Sequence, residues 1–63
     1  MTKNQIRSFV ETSSIERIRE VLDGLVALKA HRPLPNEAER GFLLDLRDHE
    51  AFFMDLADRK LQD

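Results

Sequence analysis

Ala30-His31-Arg32-Pro33-Leu34-Pro35 divides the chain in two. Pro33 and Pro35 each lack a backbone donor, and each disfavours the helical conformation in the residue before it, so this stretch reads as a connection. Only two glycines and two prolines occur in 63 residues. The sequence on either side of the connection therefore reads as helix.

Downstream, Asn36 and Glu39 have capping-box spacing, and no residue except Gly41 weakens the helix from there to about Gln62. The expectation is one unbroken helix over 36–62, ~40 Å long at 1.5 Å per residue. Its main stripe is Phe42, Leu43, Leu46, His49, Phe53 and Leu56. Upstream, Ile15, Ile18, Val21, Leu22, Leu25, Val26 and Leu28 share one arc of a helix over 14–30, with Glu16, Arg19, Glu20 and Asp23 opposite. Gly24 is read as tolerated inside that helix at about 1 kcal/mol. The two stripes are expected to pack antiparallel across the proline loop, residues 31–35.

Nearer the N-terminus, Thr2 and Gln5 fit a capping box, and Ile6, Phe9 and Val10 follow at helical spacing. A short helix over 3–11 is expected. The stripe of the second helix, extended backward, meets Ser8 and Glu11 instead of Ile6 and Phe9, so a break is expected at Thr12-Ser13-Ser14, with Ser13 and Glu16 capping the second helix. The fold class is thus all-α: an antiparallel helical hairpin with a short extra N-terminal helix, two to three helices in a single domain over 1–63.

A domain this small buries only about 60% of the surface of its unfolded chain. Small scaffolds supplement a thin core with disulfides, metals or oligomerisation. With no cysteine and only His31 and His49 as imidazoles, oligomerisation or partner binding is the expected supplement. Leu44, Ala51, Phe52, Met54 and Leu61 lie off the main stripe of the last helix, and apolar surface left exposed tends to mark an interface. The expected function is that of a non-enzymatic regulatory or adaptor protein binding a protein partner or itself. Glu16, Leu44, Asp48, Phe52 and Met54 are the expected partner-binding residues.

Other classes are disfavoured. Asp45, Asp48 and His49 form the one cluster resembling an acid–base site, but no Ser or Thr accompanies them and two or three helices leave little room for a pocket. No enzyme activity, small-molecule substrate, cofactor or metal is expected, since two histidines 18 residues apart without cysteine match no ligand spacing. Ten basic and twelve acidic residues, interspersed, give net charge −2 and leave no basic face for phosphates. Direct nucleic-acid binding is therefore not the primary expectation. No stretch approaches the ~20 apolar residues of a membrane span, and no signal-peptide run follows Met1, so no membrane role and a cytoplasmic location are expected.

The order of elements resembles the haemolysin-expression-modulating (Hha) family: Ile6 and Phe9 in a short first helix, Ser14-Ile15-Glu16-Arg17-Ile18, Val21-Leu22-Asp23, and Asp48-His49 in the last helix. The resemblance implies a helical regulator of gene expression that docks acidic residues, here Glu16 and Asp48, onto a basic face of a nucleoid-structuring protein. The chain departs from that family at Leu25 to Pro33, which looks like an insertion. It is similar also to Rop-type helical hairpins, in Met1-Thr2-Lys3 and Leu46-Arg47-Asp48-His49. That second resemblance implies the alternative function, a dimeric helical bundle binding paired RNA loops. A purely structural oligomeric subunit is the remaining alternative.

Overall fold

The computed structural model describes residues 1–62, and among them four α-helices and no strand: α1 (Lys3–Thr12), α2 (Ile15–Lys29), α3 (Arg40–Arg47) and α4 (Glu50–Gln62), with a 3₁₀ turn at Glu37–Glu39 leading into α3. The all-α class and the first two helices match the expectation. The unbroken last helix does not form.

Each start has a local cause. Thr2 Oγ1 accepts from the Gln5 amide at 3.1 Å while Gln5 Oε1 accepts from the Thr2 amide at 2.8 Å, the reciprocal box its spacing predicts. The break at the serines is real, but the cap of α2 is Ser14, whose hydroxyl accepts from the Arg17 amide at 3.1 Å. Ser13 is committed to the other side: its amide donates to the Phe9 carbonyl and closes α1. Asn36 accepts from the Ala38 amide at 3.1 Å, whereas Glu39, the expected second half of that box, is ion-paired to Arg17.

The last helix is interrupted at Asp48 and His49, whose amides donate three residues back to the carbonyls of Asp45 and Leu46. No glycine or proline forces this. A straight helix over 36–62 would be ~40 Å long, longer than the 29 Å extent of the molecule. The bend folds α4 back so that Phe53 and Ala57 are buried together with Ile6 and Val10 of α1. The expected hairpin is thereby corrected: α1 packs chiefly on α4, while α2 is shared between α3 and α4.

The core comprises Ile6 and Val10, Ile18, Val21 and Leu25, Leu43 and Leu46, and Phe53 and Ala57, with Leu34 pinning the proline loop to it. Phe9 lies 5.2 Å from Phe42 and 6.5 Å from Phe53, ring centre to ring centre, and the Arg17 guanidinium lies over the Phe9 ring at 5.9 Å. The hydrogen bond that Arg17 donates to Glu39, helped by the charges of Glu39 and Glu20 and opposed by burial, holds the Arg17 pKa above its ordinary value. Gly24 is more than tolerated. It is buried, and a Cβ there would stand 2.8 Å from Leu43 Cδ1, so the close approach of α2 to α3 requires its absence.

Candidate protein-docking groove

The C-terminal end of α2 stops in a left-handed turn. The amide of His31 donates to the Leu28 carbonyl at 3.3 Å and that of Arg32 to the Ala27 carbonyl at 2.9 Å, with His31 at φ 55°. These are the two bonds of a Schellman ending, with histidine where glycine is usual. The turn aims the chain across the end of α2, and Leu34, buried, fixes the loop against the core.

Between this turn and α3 lies an open groove of about 470 Å³. Its floor is apolar, made by Ala27, Leu28, Pro33 and Leu44. Its rim is cationic, formed by Arg32, Arg40 and Arg47 with the His31 imidazole beside them. Arg40, Leu44 and Arg47 are i, i+4 and i+7 on α3 and so share one face. Arg40 donates twice to Glu37, at 3.1 Å from Nε and from Nη2. Arg32 and Arg47 have no ion-pair partner among the described residues, and no carboxylate lines the groove. A smaller depression shares Ala27, Arg32 and Pro33 and adds Asp23, Pro35 and Val26, the last 51% exposed.

The expected partner-binding residues are not brought to one place. Leu44, 38% exposed, is in the groove. Glu16 is exposed in the first turn of α2, some 20 Å along that helix from the groove at 1.5 Å per residue. Asp48 is exposed at the end of α3, and Met54 is 44% exposed on α4. Phe52 is half-buried against the core, with Lys3 Nζ 5.4 Å and the Arg7 guanidinium 5.8 Å from its ring centre. Its apolar surface is largely satisfied within the chain.

Sequence reading missed the cationic rim. Arg40-Leu44-Arg47 was legible as a helix face, but Arg32 joins it only because His31 adopts the left-handed turn. Of the cluster Asp45, Asp48 and His49, Asp45 lies in α3 and the other two in the break between α3 and α4. Among the described residues no His, Asp and Glu cluster is placed to hold a metal ion, and no helix is long and apolar enough to cross a membrane. No family model, curated protein or solved structure matches the chain.

Proposed function

We propose that this chain is a non-enzymatic adaptor or regulatory protein that acts by binding another protein in the groove between the end of α2 and α3. The observation that carries the reading is Leu44. It is a large apolar side chain, 38% exposed in the middle of α3, set in a concave apolar floor and ringed by polar groups. An apolar anchor site enclosed by a charged rim is how protein interfaces concentrate their binding energy. Loop-borne Arg32 and Pro33 lie on a segment tethered by Leu34, so the site is formed before a partner arrives, and little ordering entropy opposes docking.

The test is photo-crosslinking in the cells that make the protein, with a photoreactive amino acid at position 31, exposed on the groove, and, separately, at position 59, exposed on α4 away from it. One discrete protein adduct from position 31 and none from position 59 supports the reading. No adduct, or the same adducts from both, overturns it.

A second reading, self-association as a structural subunit, is favoured by α2. Ile15 and Val26, both exposed, and half-buried Leu22 form one stripe along that helix. Light scattering discriminates: a fixed oligomer that Val26→Ser dissociates supports this second reading, and a monomer excludes it. The Hha-like reading has both of its carboxylates, Glu16 and Asp48, exposed, though on different elements.

A further inference from the structure

We infer that the occupant of the groove is an acidic amphipathic segment of the partner protein, one that sets a leucine-sized side chain on Leu44 and Pro33 and carboxylates on Arg32 and Arg47. The inference rests on the protein-docking reading above and adds the chemistry of the partner.

Charge carries the argument. In a chain with two more acidic than basic residues, one concavity has three arginines and a histidine on its rim and no carboxylate in its lining. Helix dipoles account for part of this, since Arg32 follows the end of α2 and Arg47 is in the last turn of α3. They do not account for Arg40, which stands at the start of α3, where the dipole disfavours a cation, and which brings its own counter-ion, Glu37. Arg32 and Arg47 are left without one among the described residues. Guanidinium groups meet carboxylates in bidentate fashion and form stronger hydrogen bonds there than with neutral acceptors.

The floor selects among anions. A nucleic acid would use the arginines, yet it has no use for an apolar lining of Leu28, Pro33 and Leu44, and the chain's other basic residues are interspersed with acidic ones in sequence. A helix carrying apolar anchors at i and i+4 with acids between them uses both floor and rim. α3 is about 12 Å long at 1.5 Å per residue, enough to lie along one such anchor pair.

The test uses three fluorescent probes in anisotropy titrations against the purified full chain: a peptide with leucine at i, i+3, i+4 spacing and glutamate elsewhere, the same peptide with lysine for glutamate, and a single-stranded oligonucleotide. The acidic peptide is expected to bind, and to weaken roughly tenfold or more with Leu44→Ser and with Arg32→Glu plus Arg47→Glu. Added salt should weaken it further. All these positions are exposed, and circular dichroism of each variant verifies the fold. Equal binding of the acidic and basic peptides overturns the inference, as does tight oligonucleotide binding indifferent to Leu44→Ser. A dimer of the chain alone that Arg47→Glu dissociates also overturns it, by seating a second copy in the groove. Absence of peptide binding while position 31 still crosslinks to one protein overturns the acidic partner and leaves the docking reading standing. If the crosslink fails too, both fall.

Discussion

The Lys60 ammonium of α4 lies 2.6 Å from the carbonyl oxygen of Val10 and also donates to those of Glu11, at 3.2 Å, and Ser13. α1 has no basic residue in its own last turn, so its terminal carbonyls and the negative end of its dipole are answered from the opposite end of the chain. Lys60→Met keeps the aliphatic stem and removes the charge. It should cost about 1–2 kcal/mol in urea unfolding, the range from the best exposed to a favourable partly buried cation at a helix C-terminus. No loss would mean that water serves these carbonyls equally well.

The two serines separate cleanly. Ser14→Ala removes the hydroxyl that caps α2 and should cost about 0.5–2 kcal/mol. Ser13→Ala should stay within about 0.5 kcal/mol, because Ser13 serves α1 and Lys60 through its backbone. Equilibrium unfolding of the pair checks the assignment, and the reverse order of losses would contradict it.

The two glycines should respond with opposite signs. Gly41→Ala meets nothing within 4 Å and should stabilise α3 by up to about 1 kcal/mol. Gly24→Ala gains the same propensity but brings a Cβ to 2.8 Å from Leu43 Cδ1, so the buried Leu43 side chain must shift from its place in the core. Overpacking of ~1–3 kcal/mol should outweigh the gain. Thermal denaturation of both variants gives the two signs directly.

His31→Gly should raise stability by about 1 kcal/mol, because a β-carbon in the left-handed region is unfavourable and glycine is the usual residue at this helix ending. A lowered melting temperature would indicate that the imidazole makes contacts worth more than the strain.

These residues also mark how far the sequence could be read. Short-range signals were legible: Thr2 and Gln5 cap as their spacing predicts, and the phase change of the apolar stripe located the break near Ser13. The choice between Ser13 and Ser14 was not, because it depends on the Ser13 amide already serving Phe9 and its carbonyl serving Lys60, 47 residues away. The split at Asp48 and His49 carries no glycine or proline and follows from compaction, since Phe53 must reach the core that Ile6 and Val10 share. Phe52, off the main stripe in sequence, is half-buried because Lys3 and Arg7 come over its ring only after α1 docks on α4. The cationic groove depends in the same way on a left-handed histidine that no local pattern announces.

Leu44 serves a partner and not the fold, and Leu44→Ser in the chain carrying the photoreactive residue at position 31 separates the two roles. Unfolding free energy should change by no more than about 1 kcal/mol, from lower helix propensity and the loss of a partly covered side chain. The crosslinked adduct should fall by roughly tenfold or more, as expected for the loss of an apolar anchor. A destabilisation of about 2–5 kcal/mol would place Leu44 in the core, and an undiminished adduct on a folded variant would contradict the account outright.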